Sequence, residues 1–290
     1  PIEISSEAEL KDFRTRVNNG EKSLCAKLTA DITLTGKWTP ISNKSAIASA
    51  YSGTFDGDKH TISGLQISAT AANQGLFGLI NGATIQNLKV SGEVSSTKSY
   101  VGGIVGKVQS GTIENCSFAG TVTTSASGGY AGGIVGGTVN STKITGCSNK
   151  ASVEGGVVGG ILGFTKNTTI QDCYNTGDID GQRAGGIVGQ NTTKSTITNA
   201  YNKGNISGTD GSGDITGFNG VTKSESNCYG KNDSISADKL GSAFQAVGGE
   251  VVLAWEAGGT PAEKNPHIVI SGESALYMTN SGAQPRATLT

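Results

Sequence analysis

An internal period constrains this chain more than any other feature. Gly75-Leu76-Phe77-Gly78 reappears as Gly103-Ile104-Val105-Gly106, Gly133-Ile134-Val135-Gly136, Gly160-Ile161-Leu162-Gly163 and Gly186-Ile187-Val188-Gly189, with a worn copy at Asp214-Ile215-Thr216-Gly217. The final glycines of these copies step by 28, 30, 27, 26 and 28 residues. A second block follows each copy: Ile85-Gln86-Asn87-Leu88, Ile113-Glu114-Asn115-Cys116, Ile144-Thr145-Gly146-Cys147, Ile170-Gln171-Asp172-Cys173 and Ile197-Thr198-Asn199-Ala200, reduced to Asn227-Cys228 in the last period. A third block has the form Gly-x-(Val/Ile), as in Gly92-Glu93-Val94, Gly120-Thr121-Val122, Gly177-Asp178-Ile179 and Gly204-Asn205-Ile206, with Ala151-Ser152-Val153 filling the same place. One such unit is too small to bury its own apolar side chains, so successive units must stack.

Three short β-rich pieces per period, separated by turn residues, describe a coil with three faces. Equivalent strands of neighbouring coils then pair in parallel, about 4.8 Å apart, and a sheet covered on its inner face accounts for runs such as Ile104-Val105. The fold expected is all-β, a parallel β-helix (β-solenoid) with an N-terminal capping helix, right-handed by the usual crossover preference. Length variation is expected in the turn before the Ile-x-x-Cys block, around Thr138 to Thr142 and Thr192 to Ser195.

The Ile and the Cys of the second block are three apart, which in a straight strand would put them on opposite faces. Both read as core, so the chain must bend between them. The residue before the Cys column is Asn87, Asn115, Gly146, Asp172, Asn199 or Asn227, the types that tolerate a left-handed backbone. Leu88, Cys116, Cys147, Cys173, Ala200 and Cys228 thus form an interior ladder of small apolar groups. Cys116 and Cys147 lie on neighbouring coils within disulfide reach, but reduced thiols packing as small hydrophobes are the expected state. Cys25, in Leu24-Cys25-Ala26, is expected in the core.

Composition fits a stack more than a compact globule. Glycine accounts for 45 of 290 residues without a G-x-y period, which excludes collagen, and aromatics are only 6%, so the interior must use small and branched aliphatics. Net charge is −1 with no basic block, which argues against nucleic acid and anionic membranes as partners. No stretch approaches the roughly 20 apolar residues of a membrane span. The chain begins at Pro1 without a signal peptide, as expected of a piece cut from a longer precursor.

The ends need covers, because open coil edges expose unpaired strands. Ser6-Glu7-Ala8-Glu9 is a capping box, followed by Leu10, Phe13 and Val17 on one helical face and Gly20 as a stop. Residues 1–65 are read as cap and lead-in coils, with Trp38 and Phe55 as anchors. Residues 66–256 are the repeats with a C-terminal cap, in which Ser236 starts a short helix carrying Leu240 and Phe244, and Val251, Leu253 and Trp255 alternate as a final strand. Residues 257–266 are a linker, and 267–290 a partial β segment.

The GGIVG…TIxNCYNxGxI coils resemble the GLUG-type repeats of large bacterial surface proteins. Gly53-Thr54-Phe55-Asp56-Gly57-Asp58-Lys59-His60-Thr61-Ile62-Ser63-Gly64-Leu65 is similar to the lead-in that precedes such repeats. The resemblance covers about residues 20 to 256. It implies a right-handed β-helix, export, and a stalk or adhesive role on the bacterial surface, and it names no substrate. Such repeats also occur beside the peptidase domain of IgA1-cleaving metalloproteases. The tail, from Ile268 to Thr290, resembles the opening strands of a bacterial Ig-like domain.

The chemistry legible in the sequence is sparse. His60 and His267 lack the spacing of a zinc peptidase, and His60 reads as a turn residue. Cys–His catalysis needs an accessible thiol, whereas the cysteine ladder points inward. A polysaccharide lyase or hydrolase needs clustered carboxylates beside a basic residue on one outer face. Asp178 and Asp180 share a face, with Asp172 and Arg183 near in sequence, but these fit solvated turns. Tyr174, Tyr201 and Tyr229 follow the inner column in three consecutive coils. Pointing outward they would form an aromatic stripe for sugars or peptides; the alternative is a corner stack beside Asn175 and Asn202. No catalytic residue, metal or cofactor is expected. The function expected is a non-catalytic, monomeric extracellular module binding host glycan or surface protein. The rivals are a carbohydrate-active enzyme or the accessory region of a surface metallopeptidase.

Overall fold

A computed structural model describes residues 1–193, 195–220, 225–257, 269–270 and 274–275. The chain packs as two compact units, 1–235 and 236–290.

The first unit is a parallel β-solenoid. One column of in-register partners runs through Ile2, Ala26, Phe55, Ile85, Ile113, Ile144, Ile170, Ile197 and Glu225. A second runs through Ile67, Val94, Val122, Val153, Ile179 and Ile206. A third runs through Phe77, Val105, Val135, Leu162, Val188 and Thr216. These are the three sequence blocks, each stacked on its own copies, and their central members are buried in one continuous core.

The bend in the second block has the expected cause. Asn87, Asn115, Gly146, Asp172, Asn199 and Asn227 have φ of 53°, 51°, 61°, 53°, 52° and 52°. One left-handed residue turns both the Ile and the Cys inward, and Ile113, Cys116, Ile144, Cys147, Ile170 and Cys173 are all fully buried. All five cysteines are free. The ladder thiols also lie near carbonyls: Cys116 Sγ is 3.6 Å from Ile85 O and 3.3 Å from Glu114 O, and Cys147 Sγ 3.8 Å from Ile113 O and 3.3 Å from Thr145 O. Burial pushes the Cys147 and Cys173 thiols up.

Side-chain amides tie the coils together at two corners. At the left-handed corner, Asn115 Nδ2 donates to Asn87 Oδ1 (3.1 Å) and Asn87 Nδ2 to Asp56 Oδ1 (3.0 Å). Beyond the break at Gly146 the pattern restarts, Asn227 donating to Asn199 (2.7 Å) and Asn199 to Asp172 (3.0 Å). A second, fully buried ladder runs the other way, Asn149 Nδ2 donating to Asn175 (2.7 Å) and Asn175 to Asn202 (2.8 Å). Each of these asparagines also closes its own turn, as where Asn175 Oδ1 accepts from Gly177 N and its Nδ2 donates to Gly177 O. Their column is Ile32, Ile62, Val90, Phe118, Asn149, Asn175, Asn202. The interior thus changes from apolar to polar partway along the stack, and the amides of this column are hydrogen-bonded. A neighbouring corner follows suit, with Thr138, Thr165, Thr168 and Ser195 buried and joined by hydroxyl contacts of 2.7 and 2.9 Å.

The N-terminal helix α1 (Glu7–Asn18) buries Leu10, Phe13 and Val17. Phe13 packs on Tyr51 and Phe55 at centroid distances of 6.0 and 5.7 Å. Ser6 Oγ accepts from Glu9 N at 3.4 Å, and Glu9 Oε2 in turn accepts from Ser5 N at 2.7 Å. Glu7, bonded by Lys11 and by Thr35 N at 2.7 Å, is held down to about 2. Trp38 is buried with its indole N–H on Leu76 O (3.2 Å), as is Phe55.

Three expectations need correction. Cys25 is exposed, because Ala26 is the inward residue paired with Phe55 and its neighbour must alternate outward. The larger length variation lies after the Gly-x-(Val/Ile) block, where Val122 to Ala131 spans nine positions and Val153 to Val158 five; the turn before the Ile-x-x-Cys block varies by only one. In the second unit, α2 (Ala237–Leu240) precedes an antiparallel hairpin of Phe244–Val247 and Glu250–Leu253, so Trp255 lies past the strand end. A two-residue antiparallel pair joins Val269–Ile270 to Ser274–Ala275. His267 and most of the expected linker and of the tail compared above with an Ig-like domain lie outside the described residues.

The thiols report this architecture directly. A water-soluble aromatic disulfide reagent is expected to modify Cys25 rapidly in the native protein and Cys116, Cys147 and Cys173 only at the rate of unfolding. Fast native labelling of any of those three, read by peptide mass, would contradict the buried ladder.

Candidate functional site

Tyr174, Tyr201 and Tyr229 are in register on consecutive coils. The first two stack at 5.0 Å between centroids with planes 3° apart, and are 1% and 3% exposed. No ring can enter between them and neither face is open, so they form a packed stack beside the buried Asn175 and Asn202. Tyr229, half-buried, donates its hydroxyl to Asn227 at 2.7 Å. The aromatic stripe suggested by the sequence is therefore not an accessible platform at Tyr174 and Tyr201.

The carboxylates divide as well. Asp172 is the acceptor that ends an asparagine ladder. Asp178 Oδ1 accepts from Asn205 N and Nδ2, both at 2.9 Å. Arg183 turns to Asp210 (3.3 Å) and lies 4.3 Å over the Phe218 ring, so it does not join Asp178 or Asp180. His60 Nδ1 is 3.1 Å from Asp31 Oδ1, a contact between neighbouring coils.

Asp180 has one acidic neighbour, at the equivalent place in the preceding coil. It is paired in register with Glu154 on the preceding coil, so two exposed acids stand side by side. They line an open trough of about 410 Å³ together with Gly155, Gly156, Gly181 and the long turn Ser125 to Gly128. Among the described residues no third metal-ligating side chain joins them.

A different face collects aromatic and basic groups. Tyr100 and Tyr130 precede the glycine corner in consecutive coils, with centroids 5.3 Å apart, and Phe164 lies 4.7 Å from Tyr130. Lys107 Nζ sits 4.9 Å over the Tyr100 ring. Tyr100 holds φ at +66°, a strained setting for a bulky residue. Its ring lies where a side chain on Gly137 would be. The signal was present in the sequence, since Tyr100-Val101-Gly102-Gly103 and Tyr130-Ala131-Gly132-Gly133 occupy one repeat position.

Residues 98–123 and 180–207 match the family model described as the GLUG motif. The chain carries GLUG motifs. Each match spans the Ile-x-x-(Cys/Ala) corner and the Gly-x-(Val/Ile) strand of a coil, so the motif coincides with the rungs of the solenoid. Over 138 residues, 42% of the chain, the sequence is 33% identical to halomucin of Haloquadratum walsbyi, of whose length the chain spans 1%. A crystal structure from Bacteroides ovatus, described as a candidate immunoglobulin A1 protease, matches with a TM-score of 0.58 over 88% of this chain and 92% of that one, at 21% identity. That likeness is one of fold.

Two like charges directly opposite on paired strands repel, and exposed charges are screened by salt. Glu154→Gln is therefore expected to raise the unfolding midpoint slightly at low ionic strength, with the gain vanishing in molar salt. An unchanged or lowered midpoint at low salt would mean that a counter-charge already neutralises the pair.

Proposed function

We propose that this chain is a non-catalytic extracellular module, a stalk or adhesin segment that holds other parts of a larger bacterial surface protein and presents a binding face. The observation that carries this reading is the uninterrupted register of coils from Ile2 to Glu225, braced at two corners by amide ladders. Such a stack is stiff along its axis and offers long repetitive faces, which suits projection and multivalent contact. The GLUG motifs support a place at the cell surface. The candidate catalytic groups support it too: Asp172 and Asp178 serve the fold through asparagine contacts, and Arg183 is paired elsewhere.

One observation favours a second reading. Glu154 and Asp180, adjacent above an open trough, are the arrangement from which a carbohydrate-active enzyme could be built. The purified chain is expected to release no unsaturated products or reducing ends from pectin and related polymers, and antibodies against it are expected to label intact cells of the source bacterium. Product formation abolished by Glu154→Gln or Asp180→Asn would replace the stalk reading with the enzymatic one.

A further inference from the structure

Acidic side chains are unevenly spread around the coils. Strands of the Gly-x-(Val/Ile) block carry Glu93, Glu154, Asp178 and Asp180. The strands that follow the glycine corner, within 105–110, 135–139, 162–166, 188–193 and 216–220, contain no Asp or Glu. Their side chains alternate: Val108, Thr165 and Asn191 are buried, whereas Lys107, Gln109, Phe164, Lys166, Gln190 and Thr192 point outward. The outward residues stack in register, Lys107 with Gly137, Gly137 with Phe164, Phe164 with Gln190 and Gln190 with Phe218. Tyr100, Tyr130 and Arg183 flank this column across the corner, and Phe218 is 39% exposed. Among the described residues, neither Lys107 nor Lys166 is in an ion pair with a carboxylate.

We propose that this outer face, from Lys107 to Phe218, binds an extended acidic polysaccharide lying along the stack. The inference rests on the surface-module reading above and names its ligand class. Three features point to that class. Cations stand at intervals along strands free of carboxylates; Lys107 and Lys166 are two rungs apart, about 10 Å at roughly 4.8 Å per rung, a separation on the scale of a short run of sugars. Gln109, Gln190 and Thr192 add amide and hydroxyl groups suited to sugar hydroxyls. The half-buried rings supply rigid apolar edges between the polar groups. Tyr100, with φ of +66°, is located on this face.

The test is native electrophoresis of the whole chain through gels containing polygalacturonate, dextran sulfate, neutral dextran or single-stranded poly(dT). Retardation by polygalacturonate or dextran sulfate is expected, falling at least tenfold in apparent affinity in Lys107→Gln/Lys166→Gln. These exposed changes leave the core intact, and circular dichroism checks that they do. Phe164→Leu, which keeps an apolar group, should weaken retention further, and Glu154→Gln/Asp180→Asn on the opposite side should not. No retardation by either acidic polymer at low salt, equal loss in the opposite-face variant, equal retention in neutral dextran, or tighter retention by poly(dT) would each overturn the proposal. Failure here with the polymers left uncut leaves the stalk reading standing, whereas cut polymer would count against that reading.

Discussion

The fold depends on how closely the backbones of successive coils approach at one column of glycines. A Cβ on Gly103, Gly133 or Gly160 would overlap the carbonyl oxygen of the equivalent glycine in the next coil, and one on Gly186 that of Asp214. On the other side the same positions press on the side chain of their own coil: Phe118 against Gly103, Asn149 against Gly133, Asn175 against Gly160 and Asn202 against Gly186. No other residue type fits both contacts, so the Gly-Gly of each repeat is set by sterics rather than by flexibility. The last coil is informative. There Asp214 holds the glycine position and Gly230 the asparagine position, and Asp214 fills the space that the missing asparagine would occupy. Among the described residues no further coil pairs beyond it, so the first contact lapses, and the second is met by exchanging large for small.

This tight corner explains where the solenoid keeps its polar and apolar interior. Aliphatic columns provide the general burial that stabilises any stack. The columns nearest the glycine corner hold Phe118 in one coil and Asn149, Asn175 and Asn202 in the following ones. An asparagine there is worth its burial only because it satisfies its whole amide, bonding both to the next coil and to its own turn. The left-handed corner uses the same chemistry with opposite donor direction and ends each run on a carboxylate, Asp56 or Asp172. Such charge-assisted ends are stronger than neutral ones.

Much of this was legible from residues alone. The inward turn of both Ile113 and Cys116 followed from their spacing plus the Asn/Gly/Asp column between them, because only one backbone geometry reconciles the two. Cys25 was misplaced because it lies outside the repeat, where two-residue alternation and not the neighbours' hydrophobicity decides the facing. The Glu154–Asp180 pair was legible too, since each acid follows the Val or Ile of the third block by one residue; Ala151 in place of that block's glycine made the copy less conspicuous. Tyr174 and Tyr201 were visible as a stack, yet their burial depends on how neighbouring groups enclose them, which periodicity does not encode. The Tyr100, Tyr130 and Phe164 strip was missed for a related reason: Phe164 reaches it from the far side of the glycine corner, where sequence separation conceals proximity.

The exchange at Asp214 and Gly230 permits the most direct test of the account. Stability of Asp214→Gly, Gly230→Asn and the double variant, measured by urea unfolding, closes a mutant cycle. Gly230→Asn alone is expected to destabilise by forcing its side chain onto Asp214. Paired with Asp214→Gly, it should be relieved and extend the buried ladder by one rung beyond Asn202, giving favourable coupling of about 1 kcal/mol or more. Additive effects, or a double variant no more stable than the worse single one, would contradict the claim that coils stack by this shared steric rule.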